Sequence, residues 1–153
     1  MLRSFYTLST WCQPRVMATY LRTVWGGWVT DSRMKGLIEP VRPCVLGCGC
    51  GDDDVKHYTR CAVFWEFASK SRPSGLGITT CTRSAEASLL VAEGMSEEDK
   101  VRMALGLYAL YRVVQIRRHN TGIVYQTMPL LKIWTRRAAD SSGARALLKT
   151  DWR

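Results

Sequence analysis

Within eighteen residues the chain places three cysteines and a histidine at the spacing Cys44-x3-Cys48-x8-His57-x3-Cys61. No other segment constrains the fold as tightly, because the run must double back if these side chains are to meet. Three thiolates and one imidazole are the ligand set and number that a structural zinc ion takes. Gly47 and Gly49 flank the second cysteine. Glycine accepts positive φ, so a tight turn there brings the sulfurs of Cys44 and Cys48 together. Asp52-Asp53-Asp54 follows. Aspartate caps helices and complements the dipole of the first turn. A helix starting there carries His57 and Cys61 at i and i+4, on one face and one turn apart. The expectation is a closed tetrahedral Zn2+ site with no position left for water, structural rather than catalytic.

Cys50 is a competing thiol, one residue past Gly49. A Cys48/Cys50 pair is cramped and a Cys44/Cys50 pair leaves a looser turn, so Cys44 and Cys48 are preferred and Cys50 is the spare. A disulfide framework suits short secreted chains with a signal peptide, and none is evident. Paired aspartates after a glycine also hold magnesium in polymerases, but these lie between metal ligands and open a helix. Capping is the expected role.

Lys and Arg number 22 against 13 Asp and Glu, giving a net charge of +9. A basic chain is drawn to polyanions. Three thiolates and one zinc ion sum to −1, so the attraction must act from elsewhere. From Arg112 onward nine cations face two acids, Asp140 and Asp151, a net +7. Tyr125, Trp134 and Trp152 are interleaved with them. Cations among aromatics suit single-stranded nucleic acid. Arg117, Arg118, Arg136 and Arg137 are the candidate phosphate contacts, with the tryptophans as stacking surfaces. The competing reading is a solvated helical face over core tryptophans, and for Trp134 itself it is the favoured one.

The patterning predicts a mainly α fold, a small helical domain carrying a Cys3His zinc knuckle. Hydrophobic residues make up 46% of the chain and charged residues 23%, a globular balance. A helix over 14–25 has proline in its first turn and Val16, Tyr20 and Val24 on one stripe. Trp25-Gly26-Gly27-Trp28 ends it, and Pro40 and Pro43 lead extended chain into the knuckle. The zinc helix continues through Phe64, Trp65 and Ala68 and stops before Pro73, with a loop over 72–83. Ser84 caps a short helix to Ala92. Ser96-Glu97-Glu98-Asp99 opens the longest helix, with a wide apolar face from Val101 to Val114. Arg117, Arg118 and His119 complement its C-terminal dipole before Asn120-Thr121-Gly122 stops it. Further helices are expected over 128–139 and 142–149. This divides the chain into a helical lead-in (1–40), the knuckle and its helix (41–72) and a basic helical region (73–153).

Enzyme chemistry finds no footing. There are two histidines, one committed to metal and the other, His119, read as a capping or surface residue. Cys12 and Cys81 have no visible base partner and read as small buried residues. No Walker loop or dinucleotide fingerprint is present. The run 103–111 falls far short of the ~20 apolar residues that span a bilayer. Arg3 and Arg15 lie among Ser, Thr and aromatics without the amphipathic pattern of a transit peptide.

The segment P-C-V-L-G-C-G-C-G-D-D-D-V-K-H-Y-T-R-C-A-V-F-W, with L-R-T-V-W-G-G-W-V-T-D-S-R upstream, resembles the zinc-binding region that follows the polymerase in non-LTR retrotransposon reverse transcriptases. The resemblance covers about residues 16–70. It implies ligand roles for Cys44, Cys48, His57 and Cys61, and Cys50 is an extra thiol. The family's polymerase core and its paired catalytic aspartates are missing, so it implies a C-terminal fragment or a domesticated remnant without polymerase activity. Two functions follow as expectations. One is a zinc-stabilised module binding RNA or single-stranded DNA in the nucleus or cytoplasm, a reducing compartment. The other is a zinc-stabilised structural or protein-interaction domain.

Overall fold

The computed structural model describes residues 2–34, 40–71, 74–78, 83–120, 126–140 and 143–148. Cys81, Tyr125, Trp152, the break at Pro73 and the outer ends of the last expected helix lie outside them. The described residues form eight helices and no strand: α1 (Leu2–Trp11), α2 (Pro14–Val24), α3 (Val55–Tyr58), α4 (Ala62–Ser69), α5 (Ala85–Ser88), α6 (Glu97–His119), α7 (Thr127–Asp140) and α8 (Ala144–Leu148). The mainly α expectation holds. None of these helices is long and apolar enough to cross a membrane.

The fold is organised by α6. Its 23 residues run about 35 Å at the usual rise. Every residue from Val101 to Leu110 is buried, so its middle is apolar all round, as befits a helix wrapped on several sides. Helices α1, α2 and α7 pack against it. Gly106 gives one close approach: a Cβ there would stand 2.5 Å from the Leu76 side chain. The ends of α6 are polar for the reasons the sequence suggests. Ser96 Oγ accepts from Asp99 N–H at 3.1 Å, acids fill the first turn and Arg117, Arg118 and His119 fill the last. Arg102, nearly buried, bridges Asp99 and Glu98 one turn back.

The expected stripe of α2 is buried at Val16 and Tyr20 and half-buried at Val24. Its buried threonines return their hydroxyls to the preceding turn, Thr19 to Arg15 O and Thr23 to Thr19 O. The Trp25–Trp28 turn then sends two indoles opposite ways. Trp28 is fully buried, stacks 5.9 Å from Tyr58, meets Tyr111 edge-on at 5.2 Å and donates to Thr23 Oγ1. Trp25 is 75% exposed. One core runs from Leu8 and Val16 through Cys44, Leu46 and Cys61 to Ala138 and Leu148, so the knuckle is built into the helical body.

Candidate metal centre

Gly47 and Gly49 carry φ of +79° and +69°, the left-handed turn their sequence position called for. Cys44 N–H donates to Gly51 O at 2.8 Å and Gly47 N–H to Cys44 O at 3.0 Å. The loop thus closes on its own backbone, and an isolated antiparallel bridge joins Pro43 to Asp52. Asp54 caps α3, its carboxylate accepting from Lys56 N–H at 3.1 Å.

The expected single helix from this cap through Ala68 is instead two. Helix α3 ends at Tyr58, and Cys61 is extended at φ −62°, ψ 130° as the N-cap of α4. The break has a cause. Thr59 O accepts from Trp65 Nε1–H at 2.9 Å and from Ser88 Oγ–H at 2.6 Å, so it is not spent on a continuing helix. His57 and Cys61 therefore converge through a sharp bend rather than one turn apart on one face.

Converge they do. One donor atom each from Cys44, Cys48, His57 and Cys61 lie within 4.8 Å of one another. Cys44 Sγ stands 3.9 Å from Cys61 Sγ, and Cys48 Sγ 3.2 Å from His57 Nε2. A tetrahedral ion with sulfur ligands at ~2.3 Å and nitrogen at ~2.0–2.1 Å sets such edges at about 3.5–3.8 Å. The donor set and its spacing therefore fit a metal ion. Cys50 is exposed, with its thiol 3.4 Å from Cys48 Sγ and outside the four-donor group. The described cysteines, 12, 44, 48, 50 and 61, are all free thiols.

The electrostatics favour thiolate at Cys61 and the neutral thiol at Cys44 and Cys48. The Cys44 thiol beside Cys61 holds Cys61 at about 5, and the N–H groups of Phe64 and Val63 at the start of α4 help against burial. The same hydrogen bond, and then burial, raises Cys44. Cys48 is raised by burial. A bound cation would displace the remaining protons. Cys12, by contrast, is half-buried and pushed up to about 12 by burial. It is an inert packing residue, as expected.

Gly51 seats the histidine. A Cβ at Gly51 would stand 2.1 Å from His57 Nδ1, so the imidazole occupies the space a side chain would need. The sequence reading weighed this glycine as the lead into the aspartates and not as a seat for His57, although its place between the two ligand pairs is the available signal.

The knuckle is locked to the helical body by a buried charge cluster that the sequence reading did not foresee. Asp31 and Asp53 are fully buried. Arg42 Nε donates to Asp31 Oδ2 at 2.6 Å, and Arg118 donates to Asp31 Oδ1 at 2.8 Å. Arg118 Nη1 also lies 3.4 Å from Asp53 Oδ2. Asp53 further accepts from Asp31 N–H at 2.9 Å and from Tyr58 Oη–H at 2.6 Å. Two cations thus neutralise two anions. The Arg42 side chain, hydrogen-bonded to Asp31, holds that carboxyl down at about 2. Of the three aspartates read as helix caps, Asp54 caps, Asp53 joins this cluster and Asp52 is exposed.

The four candidate arginines divide. Arg118 is 8% exposed and spent on the aspartates, and Arg117 donates to Val45 O at 2.7 Å. Both brace the end of α6 against the knuckle. Their position at a helix C-terminus beside a polar stop gave no sign of this, because their partners lie 72 to 87 residues away. Arg136 and Arg137 are exposed on α7, with Lys132 and Ile133. Trp134 is half-buried. The Arg112 and Arg137 guanidiniums lie 4.4 and 5.0 Å from its ring, and Tyr108 meets it edge-on. Its π surface is therefore engaged within the protein, in line with the favoured reading.

No family model, curated protein or solved structure matches the chain.

Proposed function

We propose that the chain is a zinc-stabilised nucleic-acid-binding module. The observation that carries the metal half is the convergence of three sulfurs and one imidazole nitrogen within 4.8 Å. Soft thiolates in a tetrahedral set suit zinc over harder oxygen-seeking ions. Cys44, Cys48, His57 and Cys61 fill all four positions, so the ion's role is to hold the loop and two short helices together.

The nucleic-acid half is supported by the net charge of +9 and by α7, which turns Lys132, Arg136 and Arg137 outward. Arginine engages phosphate bidentately. Arg117 and Arg118 act here as braces, so among the four candidate arginines phosphate contact falls to the two on α7. The segment's resemblance to the zinc region of retrotransposon reverse transcriptases supports a remnant of such a protein, one that binds RNA or single-stranded DNA without polymerising it. A protein-interaction domain is the second reading. It is favoured by Phe5 and Tyr6, which stand 44% and 73% exposed on α1.

Binding of a fluorescent single-stranded oligonucleotide at several salt concentrations separates the two. Phosphate contact gives affinity that falls steeply with salt. Lys132→Ala with Arg136→Ala should weaken binding and flatten that slope while one zinc per chain is retained. Salt-independent binding, or an unchanged slope in the double variant, would favour the interaction domain.

A further inference from the structure

We propose that the groove between the end of α2 and α3 is a subsite for one unpaired nucleotide, its base stacked on Trp25 and its phosphate held by Lys56 and Arg60. This rests on the nucleic-acid reading above and gives it a place for a base.

The groove encloses about 440 Å³, and its lining includes Trp25, Gly26, Val55, Lys56, Thr59 and Arg60. That volume lies within the ~300–1,000 Å³ of small-molecule sites. The indole of Trp25 is 75% exposed and meets no aromatic ring or cation among the described residues. Trp28, three residues on, and Trp134 are both engaged within the fold, which makes Trp25 the accessible platform of the three.

The backbone that carries the platform is fixed. Trp25 N–H donates to Leu21 O at 3.0 Å, Gly26 N–H to Thr23 O at 3.1 Å and Gly27 N–H to Arg22 O at 2.6 Å. Gly26 turns the chain at φ +61°, and Arg33 Nη1 donates to its carbonyl at 3.1 Å. A base stacking there would meet a backbone that is already ordered, which lowers the cost of binding.

The charges suit a phosphate. Lys56 and Arg60 are both exposed on the groove. Arg83 stands beside them, its Nε donating to Arg60 O at 2.5 Å. The acids near these cations are Glu86, whose carboxyl is lowered first by its own backbone N–H, then by the Ser84 hydroxyl and least by Arg60, and the capping Asp54. Three cations against two acids leave the rim at +1. An aromatic face beside cations is the pattern that takes single-stranded nucleic acid with little regard to sequence.

The test uses the zinc-loaded full chain, a fluorescein-labelled oligo(U) and the same backbone with abasic residues. Trp25→Ala should weaken oligo(U) binding about tenfold, leave the salt slope unchanged and leave the abasic strand's affinity as it was. Trp25→Phe should recover part of the loss. Lys56→Ala with Arg60→Ala should lower the slope for both strands. Circular dichroism and zinc content should match the parent protein, since all three side chains are exposed. Oligo(U) binding that depends on α7 but is indifferent to Trp25→Ala would overturn the subsite alone. No salt-dependent binding by the parent protein would overturn both the subsite and the nucleic-acid reading.

Discussion

Replacing Arg118 by methionine tests whether this arginine braces the fold or reads phosphate. Methionine keeps an unbranched stem of similar reach and removes the charge. In the structure the guanidinium sits between Asp31 and Asp53, at 2.8 and 3.4 Å, and neither carboxylate is exposed. Arg42 remains on Asp31, but Asp53 loses its cation. Removing one partner from a buried pair costs about 3–5 kcal/mol, because the other charge stays desolvated. That is a large share of the ~5–15 kcal/mol that holds a domain folded. For a chain of this size each kcal/mol moves the midpoint by roughly 2–4 °C, so a fall of about 6–20 °C is expected. Thermal melts of zinc-loaded protein followed by circular dichroism read this directly. Adding Asp53→Asn to Arg118→Met removes the stranded charge and should restore about 1 kcal/mol or more, a coupling that a double-mutant cycle isolates. A melt within about 2 °C of the parent, together with a flatter salt slope for oligonucleotide binding, would refute the argument. Arg118 would then be facing phosphate.

Four further outcomes are expected. Gly51→Ala should weaken zinc affinity at least tenfold by competition titration, since its methyl would sit 2.1 Å from His57 Nδ1. Gly47→Ala, with open space for a Cβ but φ of +79°, should cost only about 1 kcal/mol and keep the ion. Cys48→Ser should release zinc in a chromophoric chelator assay while Cys50→Ser retains it; the reverse would exchange the two sulfurs' roles. Asp31 has its folded pKa depressed from 3.8 to about 2. Its contribution is therefore present above pH ~4 and lost as pH falls towards ~2, amounting to at most about 2.5 kcal/mol. Asp31→Asn should remove about one proton from the stability slope in that window, measured by denaturant unfolding.

The four-donor cluster was legible because its determinants are local. Ligand types, two glycines and a capping aspartate all fall within the span 44–61, and periodicity is likewise local for α2 and α6. What escaped was set by distant partners. Helical spacing alone would run α3 into α4, but Thr59 O is claimed by Ser88, 29 residues on. The arginine pair at the end of α6 looks solvated in sequence, because Asp31 and Val45 are not in view from there. Trp25 and Trp28 share a type and a turn, and only the packing of Tyr58 and Tyr111 around one of them tells which goes inside.

The bracing of the knuckle by α6 also bears on the order in which the chain assembles. Closing the span from Cys44 to Cys61 joins residues 17 apart, whereas seating Arg118 on Asp31 joins residues 87 apart. Loop closure grows more costly with length, and long-range contacts form later for that reason. If the four donors take up an ion, its capture is therefore placed to precede docking of the long helix. Asp31 and Asp53 stay hydrated until Arg118 arrives, and their desolvation is met by its charge in the same step. On the metal-bound reading, a chain with that loop unloaded would offer α6 a less formed surface for its terminal arginines, so loading of a small loop would favour consolidation of the whole body.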